Sequence, residues 1–192
     1  MRDEHRASPR AIRIAASRIY PGRLSCTTTG ADLVVAASSI GRVLSNADLV
    51  NAVRFESHRH APIEERAQRI ADLVRTHTRR RWVGVYRVTS NEVMNLAWSG
   101  PAPPAHARFP ATRGLTGAAI ASRSSVVSND VASDPRSLTA LESTGSELIV
   151  PVLVQGSVVG TLDIEDARTG AFGADDQKLF EQVAQAVTGL YT

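Results

Sequence analysis

Residues 146–166, SELIVPVLVQGSVVGTLDIED, are two apolar strands joined by a short Gln-Gly turn. So apolar a pair demands burial, and it constrains the fold more than any other stretch of the chain. Yet Glu147, Asp163 and Glu165 are set into it. Successive side chains of a strand point to opposite faces. Thr161, Asp163 and Glu165 therefore share one face, and Gly160, Leu162 and Ile164 share the other. From these residues alone two readings stay open: a solvated face whose acids keep the sheet soluble, or carboxylates gathered to hold a cation.

The flanking segments supply the rest of an α+β domain. PIEERAQRIADLVRTHTRR, from Pro62, spaces Ile63, Ala67, Ile70, Leu73 and Val74 as one face of a helix. Proline opens it, acids come early and arginines late, as the helix dipole favours. RWVGVYRV at 81–88 and EVMNLAWSG at 92–100 alternate as strands around a TSN turn, with Trp82, Gly84 and Tyr86 on one face. PAPPAHARFPATRG at 101–114 is predicted to be a lid-length loop that cannot pair regularly, because proline lacks an amide donor. A short helix at 115–124 and a short strand, SVVSN, follow. DVASDPRSLTALESTG is a second long loop, with one helical turn expected near Leu138. GADDQKLFEQVAQAVTGLY closes the chain as an amphipathic helix, with Leu179, Phe180, Val183 and Val187 on one stripe. This order predicts an antiparallel sheet with terminal helices on one side and the long loops over the other.

That domain is expected over 61–192. Residues 1–60 read as an N-terminal extension, partly disordered or helical: poorly ordered over 1–30, with helical pieces over 31–44 and 46–56, the second capped by Asn46. A length of 192 residues suits one domain with such an extension. Hydrophobic residues at 43% and charged residues at 21% are those of an ordinary globular protein. No apolar run approaches the roughly 18 residues of a membrane span, and the charge-interrupted N-terminus is not expected to act as a signal peptide. A cytoplasmic protein without membrane contact is expected. The single cysteine, Cys26, excludes an internal disulfide. Net charge is +3, but residues 1–81 carry 15 arginines against 8 acids and residues 82–192 carry 7 basic residues against 11 acids. The arginines are dispersed apart from RRR at 79–81, and no nucleic-acid-binding motif accompanies them, so no nucleic-acid partner is expected.

Together WVGVY, RGLTG, SELIVPV, GTLDIED and the Phe172-to-Asp176 opening of the last helix resemble a GAF domain, over about residues 62–191. More narrowly, they are similar to its free methionine-R-sulfoxide reductase branch. The resemblance implies that Trp82 and Tyr86 line a pocket in which Glu147, Asp163 and Glu165 meet the amino group of a free amino acid. Crowded carboxylates raise one another's pKa, and a bound ammonium relieves the repulsion through charge-assisted hydrogen bonds. Neighbouring aromatic faces add about 0.5–2 kcal/mol of cation–π attraction. Core packing is the competing role for Trp82 and Tyr86.

The same alignment puts His106, Thr116 and Ala140 where that branch carries three cysteines. A sulfoxide must be attacked by a nucleophilic sulfur and the product resolved by another thiol, so thiol-based reduction is not expected. HRH at 58–60, with Glu64 and Glu65 nearby, matches no usual zinc spacing, and no metal or cofactor is expected. An acid-lined pocket repels the phosphate of a cyclic nucleotide. The expectation is a non-catalytic, sensory or regulatory domain for a small cationic or zwitterionic ligand such as a free amino acid. The alternatives are a dimerisation module with a vestigial pocket, its homodimer built on the last helix and the N-terminal helices, and a divergent reductase.

Overall fold

The computed structural model describes residues 44–192. The expectations for 1–30, for Cys26 and, save its last residue, for a helix over 31–44 lie outside the described residues. Helices α1 (Asn46–His58) and α2 (Ile63–Thr78) lead into strands β1 (Trp82–Val88) and β2 (Glu92–Ser99). Then come β3 (Arg108–Pro110), α3 (Gly114–Ser122), β4 (Val126–Ser128), β5 (Ser146–Val154), β6 (Ser157–Asp166) and α4 (Ala174–Ala186), which runs into a 3-10 turn, Val187–Leu190. The six strands form one antiparallel sheet in the order β3-β2-β1-β6-β5-β4. Among the described residues no helix is long and apolar enough to cross a membrane.

The helices cover one face of the sheet, α2 over β1 and β2 and α4 over β5. Between them lies the core. Ile70 and Val74 of α2, Val83 and Val85 of β1, Leu162 and Ile164 of β6, and Phe180 and Val183 of α4 are all fully buried there. The stripe on the last helix is thus taken up inside the chain. Helix α1 joins the same core through Leu49 and Val53, although the sequence assigns it to the extension. Arg59, in the HRH segment, ties α1 to α2 by ion pairs with Glu56 at 3.0 Å and Glu65 at 2.6 Å.

Four local expectations are corrected. Ser45, not Asn46, caps α1: its Oγ accepts the Asp48 amide at 3.2 Å while the Asp48 carboxylate accepts the Ser45 amide at 3.0 Å. The Asn46 side chain instead meets the His77 ring, 3.0 Å away. The proline-rich loop pairs after all, since β3 adds to the outer edge of β2 and an edge strand tolerates Pro110 there. No helical turn forms near Leu138; residues 137–141 are irregular, between turns at 131–133, 135–136 and 142–143. The last helix tightens at Val187 rather than running to Tyr191. Ser45→Ala should cost about 1 kcal/mol of stability, read as a lower urea midpoint at unchanged slope.

Candidate functional site

The hairpin β5–β6 turns at Gln155 and Gly156, whose φ of 49° and 78° are both in the left-handed region of a two-residue turn. At the turn Val154 pairs with Ser157 and Leu153 with Val158, but beyond a bulge after Val152 the register slips by one residue. The slip decides the site. Carried on unchanged, the turn register would place Glu147 opposite Ile164; with the bulge it stands opposite Glu165. Strand β1 completes the row on the other side of β6, with Trp82 opposite Glu165 and Gly84 opposite Asp163. All five residues named from the sequence, Trp82, Tyr86, Glu147, Asp163 and Glu165, therefore come to the face turned away from α1, α2 and α4, where α3 packs through Leu115 and Ala119 against Ile149.

That face is not solvated. Glu147, Asp163 and Glu165 are 2%, 5% and 0% exposed, which removes the reading of a wet, acid-dotted sheet. One oxygen of each lies within 4.8 Å of the others. Among the described residues, none of the three forms an ion pair with an arginine or lysine. Burial, followed by repulsion from Glu165, pushes the Glu147 carboxyl up to about 8. Burial, with Glu147 and Glu165 adding to it, also raises Asp163 well above its ordinary value, and burial raises Glu165 against opposing hydrogen bonds.

The three acids have different surroundings. Glu165 accepts hydrogen bonds from the Ala140 amide, the Leu141 amide at 3.3 Å and the Thr144 hydroxyl. It thereby anchors the second long loop. Glu147 Oε2 and Asp163 Oδ1 have no partner, and neither has Thr161 Oγ1 on the same face. These are three buried, unfilled acceptors where buried polar atoms are ordinarily paired. The sequence places Thr161 on this face without marking it as a site residue, and it gives no sign of the loop's amide donors. Thr161 was legible in the strand alternation; the amides carry no signature, because every residue but proline has one.

Aromatic side chains and the two long loops enclose the acids. Trp82 is fully buried and its indole N–H donates to the Ala102 carbonyl at 3.0 Å, fixing the first loop. Its ring centroid lies 6.4 Å from that of Tyr86, which lies 6.0 Å from Phe109. Gly84 makes this possible, since a Cβ there would overlap both the Trp82 and Tyr86 rings. Burial and the three nearby carboxylates hold the Tyr86 phenol well above its ordinary pKa, so it remains an O–H donor. The Ala105 amide donates to the Ala140 carbonyl at 3.0 Å and joins the two loops over the site.

Of the positions aligned with family cysteines, Ala140 sits at the site with its amide on Glu165, Thr116 is buried on α3, and His106 is half-exposed in the first loop. The acids could ligate a hard divalent cation, but such an ion takes about six or more oxygens, and both oxygens of Glu165 are already engaged by the loop. An ammonium asks for three acceptors, and three stand unfilled.

Comparison with known proteins agrees with this architecture. GAF domain-containing protein A of Dictyostelium discoideum is 30% identical over 103 residues, 53% of this chain and 64% of that protein, so the chain spans less than two thirds of that relative. The structure of a free methionine-R-sulfoxide reductase from Neisseria meningitidis in complex with its substrate superposes with a TM-score of 0.69 at 22% identity, over 76% of this chain and 87% of that one. That likeness is one of fold. A type II free methionine-R-sulfoxide reductase from Thermoplasma acidophilum gives a TM-score of 0.62 at 26% identity, over 68% of this chain and 96% of that one. A family model described as GAF domain matches residues 60–189, and the chain belongs to the GAF family.

Proposed function

We propose that this GAF domain is a non-catalytic binding module for a small cationic or zwitterionic ligand such as a free amino acid, and that capture of the ligand serves a sensory or regulatory purpose. The observation that carries the reading is the set of unfilled buried acceptors, Glu147 Oε2, Asp163 Oδ1 and Thr161 Oγ1, on one face with no cationic side chain paired to the acids. A primary ammonium supplies three N–H donors and one positive charge, satisfying the acceptors and relieving the repulsion together. Trp82 and Tyr86 offer the adjoining aromatic wall. Because the acids are shut in by the loops at 101–107 and 130–145, the ligand enters when those loops part, and its capture orders them again.

The absence of thiols at His106, Thr116 and Ala140 supports binding without turnover. A thermal-shift screen at pH 8 with free amino acids, simple amines and cyclic nucleotides tests the reading. A ligand at a hundred times its Kd adds about 3 kcal/mol of stability, so particular amines should raise Tm by several degrees and cyclic nucleotides should not act through the acids. No shift with any amine at millimolar concentration would count against it. Turnover of methionine sulfoxide with a thiol reductant, retained in Cys26→Ser, would overturn the non-catalytic reading.

A further inference from the structure

We propose a second ligand site, for a small phosphate-bearing anion, in the arginine-lined hollow where α2 ends, β1 begins and β6 leaves the sheet. The proposal does not depend on the amine reading. The hollow holds about 610 Å³ and is lined by Arg75, Arg79, Arg80, Arg81 and Arg168 together with Asp166, a size suited to a metabolite. Four of these arginines fall within residues 75–81, in the last turn of α2 and in its connection to β1, and Arg168 joins them from the segment after β6.

The carboxylates nearby are too few to neutralise them. Both oxygens of Asp166 are taken by Arg168, through Nε and a terminal nitrogen at 3.0 Å each, and Arg80 also reaches it at 3.1 Å. Asp176 lies behind the wall and pairs with Arg80. Arg75, Arg79 and Arg81 form no ion pair among the described residues. The Arg75 guanidinium is nonetheless positioned, its Nε donating to the Arg81 carbonyl at 3.1 Å. Arg80 is buried, with its terminal nitrogens on Asp166, Asp176 and, at 3.0 Å, the Ala171 carbonyl, and its guanidinium lies 4.7 Å from the centroid of the Phe172 ring. It therefore builds the wall of the hollow and leaves Arg75, Arg79 and Arg81 as the free cations there among the described residues.

Arg79 lines the hollow from the end of α2. It ends α2 at φ 55°, in the left-handed region that favours glycine. Arg123 ends α3 in the same conformation at φ 54°, so what distinguishes Arg79 is its place in the lining of the hollow. Guanidinium forks suit tetrahedral oxyanions, which accept two parallel hydrogen bonds from each fork. A phosphate monoester or diphosphate matches the excess positive charge, and the volume of the hollow is that of a small metabolite.

Calorimetric titration with inorganic pyrophosphate and with inorganic phosphate, at low ionic strength, tests the proposal. Saturable one-to-one binding is expected, tighter for pyrophosphate and weakening as salt is added. Arg79→Gly and Arg81→Gln should each weaken pyrophosphate at least fivefold and the pair at least tenfold, whereas Arg113→Gln, outside the hollow, should leave it unchanged. Since glycine suits the backbone at residue 79, Tm of Arg79→Gly should hold or rise, which separates lost binding from lost folding. Absence of saturable binding, or binding unaffected by the double variant, would overturn the site. Single-stranded RNA or anionic vesicles binding more than tenfold tighter than pyrophosphate, through the same arginines, would overturn the small-molecule assignment.

Discussion

Asp163→Asn is expected to weaken amine binding at least a hundredfold and, at pH 8, to make the ligand-free protein more stable. Asp163 Oδ1 is one of the unfilled acceptors, and its carboxyl is held well above the ordinary range by burial and then by Glu147 and Glu165. The asparagine amide has nearly the shape of the protonated acid and cannot ionise. A hundredfold loss corresponds to about 2.8 kcal/mol, within the range of about 1.5–3 kcal/mol for a charge-assisted hydrogen bond. Stability moves the other way because the unfolded chain gains by ionising an aspartate and gains nothing from an asparagine. The sign is therefore an increase in stability at pH 8. Urea denaturation at pH 8 and a ligand titration measure both halves. A variant that binds as well as the parent, or is less stable at pH 8, contradicts the assignment of Asp163.

The second large effect is on pH, and its direction follows from Glu147, Asp163 and Glu165 being raised in the folded protein. Below about pH 4 these groups are protonated in both folded and unfolded chains and contribute no difference. As pH rises past the ordinary carboxylate pKa, the unfolded chain releases its protons while the folded chain keeps them, so folded stability falls. For Glu147 the fall continues until about pH 8. The ligand-free protein should therefore lose several kcal/mol between pH 5 and pH 8 from the cluster. Asp166, held below the ordinary range by Arg168 and then Arg80, opposes the trend only at lower pH, because its stabilising contribution is lost as pH drops. An ammonium ligand favours the ionised carboxylates. Its binding should release protons near pH 7, and its affinity should climb by up to about tenfold per pH unit for each proton released. Titrations in buffers of different ionisation enthalpy count those protons. Proton uptake, or an affinity flat from pH 6 to 8, is incompatible with a charged guest on these acids.

The acid face of β6 was legible because a strand has a two-residue period, so Thr161, Asp163 and Glu165 had to fall together. The sheet, its helical cover and the hairpin turn followed from equally local patterns. The partnership of Glu147 with Glu165 did not, because it depends on a bulge after Val152 that shifts the register by one residue. The unpaired residue is Val159 of β6, and the neighbouring Gly160 is a sign too weak to fix where a register slips. Likewise the hold of residues 140–144 on Glu165 comes from two backbone amides and one hydroxyl. The proline rule failed at Arg108–Pro110 because the missing amide matters least on an outer edge. Ser45 was passed over in favour of Asn46 because both side chains can cap, and only the backbone shows which residue precedes the first turn.

The most direct measurement is a crystal structure of the protein grown or soaked with a mixture of free amino acids at pH 8. The account predicts an amino nitrogen between Tyr86 and Asp163, within about 3 Å of the Glu147 and Asp163 carboxylates. An amino acid bound elsewhere while these carboxylates hold only water or a metal ion would contradict it.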